Sequence, residues 1–140
     1  MERLRKKVDT AKRALKTLQE LLEVENPTTV ERDAVIQRFE YTFEAFWKAG
    51  KLFLREIEGL EIGSPKGVIR GFLQIGVFTE DQTALALDMV DDRNLTSHAY
   101  NEDLAEQIYN QTGDYADVMA NWLAAMEKAL EKTEEVRNNE

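Results

Sequence analysis

The chain of 140 residues contains no cysteine, a single histidine, only two prolines and seven glycines. Without cysteine there is no disulfide, no thiolate metal site and no cysteine nucleophile. One histidine without cysteine argues against zinc, and the Glu-x-x-His pairs of a di-metal bundle are missing, so no metal and no cofactor are expected. The scattered glycines form no phosphate-cradling loop. So few helix breakers signal few turns, which favours a small number of long helices. No apolar run approaches the ~20 residues that cross a bilayer, and the charged N-terminus is not followed by a signal-peptide core. A soluble, cytoplasmic protein with no membrane contact is the expectation.

What is present is charge, with a net of −9 that argues against a broad nucleic-acid-binding face. The charge is uneven. The first sixteen residues hold Arg3, Arg5, Lys6, Lys7, Lys12, Arg13 and Lys16 against Glu2 and Asp9, and the remainder is strongly acidic. That basic start is either a solvated helix face or a local patch for phosphate or an acidic partner.

The apolar residues recur in threes and fours. Leu4, Val8, Ala11, Leu15, Leu18 and Leu22 predict a first helix from about Glu2 to Val24, ended by Asn26-Pro27. Thr28-Thr29-Val30-Glu31 reads as a capping box opening a second helix, with Ile36, Phe39, Phe43, Phe46, Gly50, Phe53 and Ile57 in its stripe. Gly50 there lets a neighbouring helix approach closely. Ser64-Pro65 starts a short third helix, and a second capping box, Thr79 to Gln82, starts a fourth running toward Arg93. The last helix begins near Asn101, with a bend expected at Gly113 and a frayed tail after Lys132. No segment alternates like a strand. Residues 1–140 therefore read as one all-α domain, an antiparallel bundle of four to five helices.

Chemistry concentrates in Asp91-Asp92-Arg93-Asn94-Leu95-Thr96-Ser97-His98-Ala99-Tyr100-Asn101-Glu102. An always-charged guanidinium, an imidazole and a phenol fall within eight residues, enough to bind and cleave a phosphodiester. Arg93 extends the row Leu85, Met89, and a guanidinium on such a row needs an anion, a partner or a wet cleft. Asp91 and Asp92 are the partners at hand if the stretch is an ordinary polar helix junction. Ser97 adjoins His98, but sequence adjacency is not nucleophile–base geometry.

The R-x4-H spacing in a turn between two helices resembles the signature of the HEPN superfamily. The string from Asp92 to Glu102 is similar to one branch of it, the nucleotidyltransferase substrate-binding proteins. Arg38-Phe39-Glu40-Tyr41-Thr42-Phe43-Glu44 and Ser64-Pro65-Lys66-Gly67-Val68-Ile69-Arg70 resemble the same branch. The resemblance implies an up-and-down helical bundle, a homodimer, and a partner that is a minimal nucleotidyltransferase (MNT) in a toxin–antitoxin-like pair. It further implies a metal-independent endoribonuclease with Arg93 and His98 as catalytic residues. Asn94 and Tyr100 would bind substrate, and Tyr100 would accept AMP from the partner. The alternative is a non-catalytic subunit that binds a nucleotide or other substrate in the same cleft; a purely structural helical adaptor is the third reading.

Overall fold

A computed structural model describes residues 1–139 as five α-helices and one 3₁₀ turn, with no strand among the described residues. The helices are α1 (Glu2–Leu22), α2 (Thr29–Glu58), α3 (Pro65–Gln74), α4 (Glu80–Leu95) and α5 (Glu102–Asn138); the turn, Thr96–His98, joins the last two.

The helix starts follow local chemistry. Thr28 accepts from the Glu31 N–H while the Glu31 carboxylate accepts from the Thr28 N–H, and Thr79 and Gln82 repeat the arrangement. Both capping boxes satisfy backbone donors that a helix otherwise leaves open. Ser64 caps α3 through the Gly67 N–H, with Pro65 in the first turn, and Asn101 caps α5 through the Leu104 N–H. Asn26 turns the chain between α1 and α2 in a left-handed conformation, φ 49°.

Ion pairs and ring contacts give the helix directions. Arg5 pairs with Glu134 and Lys12 with Glu127, so α1 runs antiparallel to α5. Phe39 stacks on Tyr115 and Phe46 meets Trp122, so α2 and α5 run the same way. Helix α4 returns between them, its end at Glu44 of α2 and Tyr115 of α5, and the short α3 packs beside α4 with Lys66 on Asp91.

The predicted stripes form the core. Leu4, Val8, Ala11, Leu15 and Leu18 of α1 are buried, as are Phe39, Phe43, Phe46 and Phe53 of α2; Ile57 is only partly covered. Trp122 lies at the centre of an aromatic cluster, edge-on to Phe72 at 5.2 Å and Phe78 at 5.5 Å. Gly50 makes room for it: a Cβ there would lie 2.6 Å from Trp122 Cζ2 and 3.0 Å from Phe72 Cε2. Gly50→Ala therefore overpacks this cluster, at a cost of about 1–3 kcal/mol.

Helix α5 continues through Gly113, which faces solvent with open space around its Cα and costs only helix propensity. One expectation about α5 changes. The polar tail is helical to Asn138 rather than frayed after Lys132, since Glu134 is tied to Arg5 of α1.

Candidate active site

The last turn of α4 is fastened by three consecutive residues to three different helices. Asp91 pairs with Lys66 of α3 at 2.8 Å. Asp92 accepts a short hydrogen bond, 2.5 Å, from the Tyr115 hydroxyl of α5. Arg93 pairs with Glu44 of α2. Successive helical positions point about 100° apart, so three neighbours can be reached at once. The Tyr115 hydroxyl lies in the core, and burial together with the Asp92 carboxylate pushes its pKa far above the ordinary phenol value.

Arg93 thus does not take Asp91 or Asp92 as its partner. Those two carboxylates point toward Lys66 and Tyr115, and the guanidinium faces α2 instead, 6.0 Å from the Phe43 ring centroid. Its Nη1 donates to the Asn94 side-chain oxygen at 3.1 Å, so Asn94 steadies the arginine from the next position in the chain. The Arg93 side chain keeps 29% exposure, while its Nε is enclosed without a hydrogen-bond partner.

The α-helix tightens into the 3₁₀ turn immediately after Leu95, with Thr96 donating its hydroxyl to the Arg93 carbonyl at 2.8 Å. His98 and Tyr100 are carried outward. Both are exposed, Tyr100 to 84%, and their rings meet edge to face at 6.2 Å between centroids. A groove of about 520 Å³ opens beside Tyr100, lined on one side by Thr96, Ala99 and Tyr100 and on the other by α2 residues from Val30 to Glu40; Arg93 and His98 do not line it.

Just beyond the turn, Arg32 of α2 locks the start of α5. It is 4% exposed, yet its guanidinium makes five hydrogen bonds to the carboxylates of Asp33, Glu102 and Glu106. These contacts hold the Glu102 carboxyl below the usual carboxylate pKa and the guanidinium above its own.

All four sequence-predicted residues therefore lie on one continuous segment, with Arg93 and Asn94 in contact and His98 beside Tyr100. Sequence reasoning did not assign a role to Glu44. Its one oxygen faces Arg93, while the other accepts from the Trp47 indole N–H at 3.1 Å and lies 3.7 Å from Lys48. The available signal was its position next to Phe43, a carboxylate at the edge of an aromatic core stripe.

Residues 6–128 match the model of a family described as nucleotidyltransferase substrate binding protein like. A solved structure from Thermus thermophilus is 56% identical, with a TM-score of 0.81 over 83% of this chain and 98% of that one. A Haemophilus influenzae structure, described as the fold of a substrate-binding domain of a nucleotidyltransferase, is 19% identical. Its TM-score is 0.71 over 86% of this chain and 98% of that one. A tri-AMPylated HEPN toxin of Shewanella oneidensis, in complex with an MNT antitoxin, is 18% identical. Its TM-score is 0.68 over 89% of this chain and 96% of that one. At such identities the last two share the fold. Among curated relatives, a bifunctional purine biosynthesis protein of Ruegeria sp. (strain TM1040) is 32% identical over 90 residues, which are 60% of this chain and 17% of that protein's length.

Proposed function

The chain belongs to the nucleotidyltransferase substrate-binding-like family, and on that premise we propose that it is a metal-independent endoribonuclease of the HEPN toxin type, governed by a minimal nucleotidyltransferase. The observation that carries the reading is the exposed His98, presented on a 3₁₀ turn directly after an anchored, partly open Arg93. That arrangement leaves an imidazole free to work on a substrate, five residues along the chain from a fixed positive charge.

The reaction is a transesterification within RNA. One histidine takes the proton of a ribose 2′-hydroxyl as its oxygen attacks phosphorus; a second gives a proton to the 5′-oxygen as the P–O5′ bond breaks. A 2′,3′-cyclic phosphate and a free 5′-hydroxyl result. Imidazole is suited to both tasks, because it can take or give a proton near neutral pH. Arg93 stabilises charge gathering on the non-bridging phosphate oxygens. Each chain supplies one His98, so the scheme calls for a homodimer in which two such turns face one cleft.

Tyr100 is the natural point of control. Its phenol is exposed next to His98, and AMP attached there would place a bulky anion beside the imidazole. The AMPylated state of the Shewanella toxin supports the same chemistry for this chain. Mass spectrometry after co-expression with a cognate nucleotidyltransferase should find Tyr100 carrying AMP; an unmodified Tyr100 beside a demonstrably active partner removes this control.

A second reading has its own observation. Glu44 occupies part of Arg93 and lowers the net charge offered to a phosphate, which favours a cleft that binds substrate without cleaving it. One experiment separates the two. The purified protein, incubated with RNA in EDTA, should leave 2′,3′-cyclic phosphate ends and show the mass of a dimer by light scattering. A protein that leaves RNA intact yet binds nucleotide through Arg93 and His98 is the binding subunit instead.

A further inference from the structure

The cations of α1 divide into two sets. Arg5 and Lys12 turn toward α5 and are paired with Glu134 and Glu127. Arg3 and Lys7 turn the other way, into a cleft of about 450 Å³ that α1 shares with the C-terminal half of α2 and the loop before α3. There they meet Lys48, Lys51 and Arg55 of α2, so five cations line a space whose only acidic lining residue is Glu61, itself 3.2 Å from Arg55, with Glu44 close by on Trp47 and 3.7 Å from Lys48. Among the described residues Arg3, Lys7 and Lys51 have no carboxylate within ion-pair distance. In a chain of net charge −9, such a gathering demands an anion to complete it.

The cleft also offers an aromatic surface. Trp47 lines it half-buried, with its indole N–H held by Glu44 at 3.1 Å, so the ring is oriented before any ligand arrives. Leu52 and Ile62 supply apolar wall. A fixed indole beside unpaired ammonium and guanidinium groups, in a volume suited to a small ligand, matches what a nucleobase with an attached phosphate requires.

We propose that this cleft is a nucleoside-phosphate site, with Trp47 stacking on the base and Arg3, Lys7 and Lys51 holding the phosphate. No residue of the Arg93–His98 turn lines it, so the site stands whether or not RNA is cleaved. The nucleoside phosphate is either a free nucleotide or one unit of an RNA strand. Glu44 touches both regions, since the carboxylate that orients Trp47 also holds Arg93.

Intrinsic fluorescence tests the proposal directly. Of the two tryptophans, Trp122 is enclosed at 0% exposure, so quenching by a stacked base reports on Trp47. The full chain carrying His98→Ala, which prevents cleavage, is titrated separately with AMP and with a short single-stranded oligoribonucleotide. Saturable quenching is expected, with affinity reduced at least about tenfold in Lys7→Glu/Lys51→Glu and the quench lost in Trp47→Phe. If the charge reversal fails to fold by circular dichroism, Lys7→Gln/Lys51→Gln should still weaken binding several-fold. Quenching by AMP assigns the site to a free nucleotide, and quenching by the oligonucleotide alone assigns it to a strand. No quenching by either probe, or undiminished affinity in the folded charge variants, overturns the site.

Discussion

Two arginines bracket the same turn, and they are held in different ways. Arg93 closes the helix before it; Arg32, from α2, grips the helix after it. Arg32 is almost completely buried and spends its guanidinium on three carboxylates, with bonds from Nε, Nη1 and Nη2 alike. Arg93 has one carboxylate and one amide, and its side chain keeps 29% exposure. A guanidinium has five N–H donors, so counting those already used separates an arginine that builds the fold from one still able to receive a ligand. Residue type alone does not make that distinction.

The sharpest way to break the comparison is through activity. His98→Ala and Arg93→Ala should each lower RNA cleavage by ~10²–10⁴-fold, the usual worth of acid–base help or of a charge placed for the transition state. His98→Ala should change stability by no more than about 0.5 kcal/mol, because the residue is exposed and off the apolar stripes. Arg32→Ala should leave the cleavage rate of the folded protein nearly unchanged. Equal losses from Arg32→Ala, assayed well below its melting temperature, would erase the distinction between the two arginines.

The second effect runs in the opposite direction. Arg32→Ala should cost stability, by about 1–2 kcal/mol in a urea titration. This is less than breaking a fully buried pair costs, since the carboxylates left behind on Asp33, Glu102 and Glu106 are all more than half exposed and water can receive them.

A finer adjustment comes from Glu44→Gln, which preserves the side chain's shape and removes its charge. With Arg93 freed electrostatically, KM for an oligoribonucleotide should fall about two- to fivefold at unchanged kcat, the scale of a partly exposed ion pair. A fall in kcat instead would show that Glu44 serves to position the guanidinium.

The smallest effect is in pH. Arg32 holds the Glu102 carboxyl below its ordinary pKa, so the folded state binds that proton less readily than the unfolded chain. The stability this contributes is complete above the ordinary carboxylate range and is lost as pH falls through the lowered folded-state value. Between neutral and acid pH the melting temperature of Arg32→Ala should therefore drop less than that of the parent; parallel curves would contradict the linkage.

The parts of this molecule legible in sequence are those decided locally. Capping boxes at Thr28 and Thr79, the cap at Ser64 and the stripes of α1 and α2 each depend on residues within a turn or two of one another. The exposure of His98 and Tyr100 could be read from their position off every stripe. What escaped was decided across helices. Asp91 and Asp92 are the nearest acids to Arg93 in sequence, yet each is directed elsewhere by helical geometry, and the actual partner, Glu44, sits on another helix. The tail of α5 looked frayed because its composition is polar, and nothing local announced that Arg5 would reach Glu134.

The three ties at Asp91, Asp92 and Arg93 also have a mechanical meaning. Supports running in three directions hold the end of α4 as a tripod holds its head, against both translation and tilt. The segment from Leu95 to Tyr100 projects from that mount like a short cantilever, until Asn101 and Arg32 catch the chain again. The imidazole and the phenol are thereby carried beyond the mount, while the guanidinium stays with the frame. The contacts proposed for a second subunit, for RNA and for AMP transfer would all fall on the tip and not on its foundation.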